Sequence, residues 1–132
     1  MLDSVLRVFG EDFDVKSFLQ HNKLTVPVDS YNIGEPDILG SPNSDSGFDA
    51  LLSENGNIVE HLNELRLFLK NNNNIFSILK KTGASCIIDL SSSVASDDPF
   101  TQSIHLPVDF LGLCFELNIS IELSNYPSGN NG

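Results

Sequence analysis

The sequence predicts an α+β fold: a mostly antiparallel or mixed sheet with helices packed on one face, in a ferredoxin-like or split-βαβ variant. Three observations carry this expectation. Residues 57–81 read as two short amphipathic helices end to end, and their continuous apolar face needs a sheet to cover it. Alternating segments suited to strands lie on both sides of that pair. A strand-helix-strand pattern occurs twice, from Leu6 to Val28 and from Ile104 to Leu123. A chain of 132 residues fits one domain over 1–126 with a loose tail at 127–132. That length is enough to bury roughly two-thirds of the surface the unfolded chain exposes.

In residues 4–9, Val5, Arg7 and Phe9 alternate with Leu6 and Val8 as a strand, which Gly10 stops. Asp14 is placed as an N-cap, with Phe13 and Phe18 as the two halves of a hydrophobic staple. Val15, Phe18 and Leu19 then form the inner face of a helix ending near Asn22. Leu24, Val26 and Val28 alternate with Thr25, Pro27 and Asp29, the pattern of a strand whose proline belongs at an edge. Gly34, Pro36, Gly40 and Pro42 mark residues 32–46 as a long loop, of a length usually tied to function. Residues 47–53 resume a strand.

In the helix pair, Ile58, Leu62, Leu65 and Leu69 make the apolar stripe, widened by Val59 and Phe68. Asn57 and Glu60 have the spacing of a capping box, and Arg66 and Lys70 suit the negative end of the dipole. Ile75, Phe76, Ile78 and Leu79 form the second helix, closed by Lys80, Lys81 and a left-handed Gly83. Residues 84–90 read as a central strand, 91–99 as a polar connection and 101–106 as an antiparallel return strand. Pro107 suits the first position of a helix whose apolar face is Val108, Leu111, Cys114 and Phe115, with Asn118 as its stop. Ile119, Ile121 and Leu123 alternate with Ser120, Glu122 and Ser124 in a one-sided strand.

Charge is the first unusual feature. Eighteen acids against seven bases give −11. No Lys or Arg occurs between Leu24 and Leu65, a span holding Asp29, Glu35, Asp37, Asp45, Asp49, Glu54, Glu60 and Glu64. Such a surface repels nucleic acid and anionic lipid and steers a basic protein toward it. The same charge also serves solubility alone. No run approaches the ~20 apolar residues of a membrane span, and the first ten residues lack the basic start of a secretory signal, so a cytoplasmic protein is expected. Cys86 and Cys114 then read as buried free thiols.

Catalytic signatures are missing from the sequence. It has no P-loop, no dinucleotide glycine fingerprint and no glycine elbow around Ser91, Ser92 or Ser93. His21, His61 and His105 share no spacing; His61 has Glu60 and Glu64 on one helical turn, too small a ligand set for zinc. Glu11, Asp12 and Asp14 lack the spaced oxygens and closing Glu of a calcium loop. No cofactor and no enzymatic activity are therefore expected. What remains is an acidic loop region holding an aromatic, and we take Asp29, Tyr31, Glu35, Asp37, Asp45, Asp49 and Glu54 as the candidate partner-binding residues. Phe48 at the loop's far end more readily pins it to the core.

The opening turn Phe9-Gly10-Glu11-Asp12-Phe13-Asp14, the Leu-rich helix pair, the Gly83-Ala84 turn into a strand and Leu106-Pro107 before a helix and a final strand resemble the bacterial domain-of-unknown-function family 4279. The likeness spans nearly the whole chain and rests on element order. Members often carry a Trp-containing strand after a Gly-rich loop; this chain has no Trp, and Tyr31 with Ser46-Gly47-Phe48 occupies that region. The resemblance implies an immunity protein of a bacterial toxin system. The expectation is thus a monomer or weak homodimer that neutralises a cognate, basic toxin domain through its acidic surface. The alternative is a small-ligand or regulatory module, a homodimer through an exposed edge strand, with Tyr31, His105 and acids around an enclosed pocket.

Overall fold

The computed structural model describes residues 1–94 and 103–127. Alternation in the first strand sets the architecture. In β1 (Leu2–Gly10), Leu2, Ser4, Leu6 and Val8 are buried while Arg7 between them is exposed, so the two faces of the strand meet different surroundings. β1 is the centre of a five-stranded sheet of order β2-β3-β1-β4-β5, with β2 (Asp29–Tyr31), β3 (Ser46–Ser53), β4 (Ser85–Val94) and β5 (Ser120–Pro127). β3 and β4 flank β1 antiparallel, β2 pairs antiparallel with β3, and β5 runs parallel to β4. β2 consequently runs parallel to β1 with β3 between them, and the sheet is mixed.

Cross-strand partners share a face. Val8 is opposite Phe48 and Cys86, and Leu6 is opposite Ala50 and Ile88, so this side of the sheet is apolar across its three central strands. Four helices supply the rest of one continuous core: α1 (Val15–His21), α2 (Ile58–Asn71), α3 (Asn73–Thr82) and α4 (Val108–Glu116). Phe13, Phe18 and Phe48 gather where α1 meets β3, with ring centroids 5.6–6.4 Å apart. The staple thus forms, and Asp14 Oδ1 accepts from the Ser17 amide at 3.1 Å as its cap. Asn57 caps α2 through Glu60 N–H, but the reciprocal half of the expected capping box is not made. The Asn57 amide donates to Asn55 Oδ1, while Glu60 Oε2 takes the Asn55 side-chain amide. Gly83 closes α3 at φ 78°.

Several expectations need correction. Residues 24–28 are not a strand: Pro27 has no donor, and the Thr25 amide is taken by Asn72 Oδ1 at 3.2 Å, which ties the segment to the α2–α3 junction. Ser91, Ser92 and Ser93 belong to β4 because β1 pairs on one side and β5 on the other through that stretch. The place beside β4 expected for an antiparallel return strand is filled by β5, and residues 103–106 have no regular structure. Residues 95–99 of the expected connection, 101–102 of that strand and 128–132 of the tail lie outside the described residues. Pro107 caps α4 from one position before the helix. Val59 and Ile78 are exposed rather than part of the buried stripes.

α4 is rotated from the expected phase. Phe110 and Cys114 are buried with Leu113 and Leu117 packed beside them, whereas Val108 and Phe115 are each 85% exposed and Leu111 is partly exposed. Both stripes are apolar, so periodicity alone does not choose between them. Arg66 of α2 helps fix the choice, bonding Asp109 at 3.1 Å with its guanidinium 6.0 Å from the Phe110 ring centre. Asn118, at φ 61°, ends the helix in a Schellman arrangement: Ile119 N–H donates to Cys114 C=O and Asn118 N–H to Phe115 C=O.

Candidate functional site

The sheet face opposite the core carries most of the charge borne by the strands. Direct pairing aligns Asp29 with Asp49 and Asp49 with Arg7, and on the other side Val5 with Asp89 and Asp89 with Glu122. Arg7 is the one Lys or Arg in the five strands. It is committed to β4, where Nη2 lies 2.6 Å from Asp89 Oδ2, with Glu122 3.8 Å from Nη1. Asp89 is 2% exposed, and its other oxygen accepts from Ser124 Oγ at 2.8 Å, so its charge is matched by a cation and hydroxyls.

On the β2–β3 side no cation performs that service at close range. Partial burial raises the Asp49 carboxyl above its ordinary range, the Arg7 charge lowers it, and neighbouring Asp29 raises it again. Burial likewise raises the Tyr31 phenol, helped by Asp45 and Asp49 and opposed by Arg7. Tyr31 pairs with Gly47 and lies over it: a Cβ at Gly47 would run into the Val8 carbonyl and sit 2.7 Å from the Tyr31 hydroxyl. Glycine at 47 is what lets the phenol rest against the strand. Phe48, one residue on, points the other way and has no exposure, so it belongs to the core.

Between β2 and β3, residues 32–45 form a loop with its own hydrogen bonds. Gly34 N–H donates to Asn43 C=O at 2.9 Å, Asn43 N–H to Glu35 C=O at 2.8 Å and Asp37 N–H to Ser41 C=O at 2.7 Å. Carboxylates brace it as well. Glu35 Oε1 accepts from the Asn32 amide at 2.9 Å, and Asp37 Oδ1 from Leu39 and Ser41 amides at 2.8 and 3.0 Å. Of the seven candidate residues, Asp29, Tyr31, Asp45 and Asp49 come together, and Glu35 and Asp37 sit in the adjoining loop. Glu54 follows the far end of β3 and does not join them.

A second constellation escaped the sequence reading. His61 projects from α2 into the core with no exposure; its Nδ1 donates to Asn55 C=O at 2.8 Å and its Nε2 shares a hydrogen bond with Ser4 Oγ at 2.6 Å. Ser53 Oγ, 3.2 Å from Nδ1, donates to Glu64 Oε1 at 2.7 Å. A serine on a histidine with a carboxylate beyond is the order of a nucleophilic relay, but Ser4 and His61 are both sealed from solvent and no substrate reaches them. The signal was available in part, since His61 precedes buried Leu65 by one helical turn; the β-strand serines that receive it carry none. His105 lies apart from Tyr31, lining a cleft with Ile58, Val59, Leu62, Arg66 and Pro107. Among the described residues no three His, Cys, Asp or Glu are grouped to hold a metal ion, and no helix is long and apolar enough to cross a membrane.

No protein-family profile, curated protein or solved structure matches the chain.

Proposed function

We propose that this chain is an immunity-type protein that binds a basic toxin domain, most fittingly a nuclease, and covers its substrate surface. The observation that carries the reading is the meeting of Asp29, Asp45 and Asp49 around Tyr31 on an uncovered sheet face, with the one strand cation turned toward Asp89 instead. A nuclease needs a positive surface to hold phosphate, and an acidic inhibitor competes for that surface by presenting the same charge. The half-buried phenol supplies the aromatic contact around which such a rim is effective. On this reading the site of action is the cytoplasm. Nucleic acid and anionic lipid are unsuitable partners for this charge.

The test is to read the frames that neighbour its gene and to co-express the chain with a toxin-like domain found there; finding none counts against the reading. The chain is expected to restore growth and to co-purify with that domain. Neutralising Asp29→Asn with Asp49→Asn is expected to slow association roughly tenfold at low salt and to flatten its salt dependence, leaving dissociation nearly unchanged. Failure to form a complex, or association indifferent to both substitutions and salt, removes the acidic face from the function.

A further inference from the structure

Among the described residues, the most exposed large apolar side chains lie together at the tip of the 32–45 loop: Ile38 is 99% and Leu39 87% exposed, and Ile33 nearer the base is 52% exposed. We infer that this tip is an anchor, Ile38 and Leu39 entering an apolar socket rimmed by Lys and Arg on a basic protein partner. The inference rests on the inhibitory reading above and names the contact that holds the complex once charge has brought the two surfaces together.

Two features argue for an anchor rather than a stray exposed pair. The tip is held in shape before any partner arrives: Gly40 N–H donates to Asp37 C=O at 3.0 Å, Leu39 N–H to Asp37 Oδ1 at 2.8 Å, and Gly34 and Gly40 take the positive φ values, 86° and 85°, that the two bends require. A side chain presented on a braced loop loses little freedom on docking, which is what makes a small apolar contact count. The tip is also continuous with the candidate face, because β2 and β3 lead into the loop from Tyr31 on one side and Gly47 on the other.

Charge selects the occupant. Glu35 and Asp37 precede Ile38, Asp45 follows on the returning arm, and no Lys or Arg occurs between Leu24 and Leu65. An anionic membrane is repelled by that ring, and a second copy of a chain carrying −11 brings the same sign to the contact. A socket with a cationic rim instead gains attraction from the same acids while burying the two aliphatic side chains.

The experiment measures binding kinetics of the full chain against the purified basic domain that the co-expression test above recovers, with Ile38→Ser plus Leu39→Ser as the variant. These residues contribute nothing to the core, so the fold is retained. The expected result is dissociation faster by roughly 30-fold, with the association rate and its salt slope within about twofold of the parent. A benzophenone side chain placed at 38 is expected to cross-link to that domain. If the parent binds and the double variant dissociates at the parental rate, the anchor is wrong and the acidic-face reading stands. If the parent does not bind, both fall. If the free protein is a dimer that the double variant converts to monomer, or binds vesicles of anionic phospholipid in a way the variant abolishes, the tip serves another occupant and the inference is overturned.

Discussion

Ser4 Oγ and His61 Nε2 lie 2.6 Å apart with neither residue exposed, joining the central strand to the longest helix through a hydrogen bond inside the core. The opposite ring nitrogen donates to Asn55 C=O at 2.8 Å, so both nitrogens of the buried ring have a partner. A buried polar pair of this kind matters most when it is broken, because the survivor keeps its desolvation cost and loses its partner. Ser4→Ala is expected to cost about 1–3 kcal/mol and His61→Ala about 2–4 kcal/mol, the latter including a cavity. Urea unfolding checks both, and the double variant should lose less than the two single losses added together. Strict additivity would show that the two residues do not act through one another.

Asp49 and Glu64 make opposite pH demands on the fold. Burial raises Asp49 above its ordinary 3.8, so between that value and its folded value the native state holds the extra proton and stability falls as pH rises. Above that window the cost is fully present. Asp49→Asn is therefore expected to raise the Tm at pH 7 by about 1–3 °C, a figure kept small by the solvent around the group, and to change nothing at pH 3. A more stable but slower-binding Asp49→Asn protein is what a carboxylate retained for a partner predicts. Glu64 runs the other way. Hydrogen bonds from Ser53 and Asn55 lower it below 4.5, so its contribution is present above that pH and is lost as pH falls through the folded value. Glu64→Gln should flatten that acid limb in a thermal-melt series, and an unchanged limb would assign it to other carboxylates.

Cys86 and Cys114 are buried on the inner face of β4 and on α4, and burial pushes both thiols up to about 11. The scarcity of thiolate at pH 8 slows attack on a disulfide reagent roughly 100-fold relative to an ordinary thiol, before access is counted. Native protein is expected to show no rapid reaction and denatured protein to release two equivalents, one for each cysteine in the chain. One fast equivalent in the native state would mean that β4 or α4 opens locally.

Local chemistry made most of this fold legible. Caps at Asp14 and Asn57, the left-handed Gly83 and the alternation of β1 are short-range devices whose partners lie a few residues away. Features decided by distant chain were not legible in the same way. Residues 24–28 have the alternation of a strand but are captured by Asn72, and the strand expected over 101–106 finds its place beside β4 occupied by β5. At the candidate site, composition pointed to the acids and Tyr31 but not to their arrangement. Only strand register shows that Asp29 faces Asp49 while Arg7 is drawn to Asp89, and that Glu35 and Asp37 spend an oxygen each on the loop backbone.

The two apolar stripes of α4 give the sharpest separation between pattern and packing. Phe110 is 1% exposed and Phe115 85%, although the sequence places both on a helix rich in apolar residues and the expected face included only the second. Phe110→Ala removes a ring from a filled core, and the expected loss is about 3–5 kcal/mol. Phe115→Ala removes a ring already in water, and its expected effect lies within about 0.5 kcal/mol. Arg66→Ala should fall between them, because it removes the ion pair to Asp109 and the cover over Phe110 without opening the core. Urea denaturation of the three variants orders them directly. If Phe115→Ala proved the most destabilising, α4 would have to be turned by one residue, carrying Cys114 and Leu113 away from the core with it.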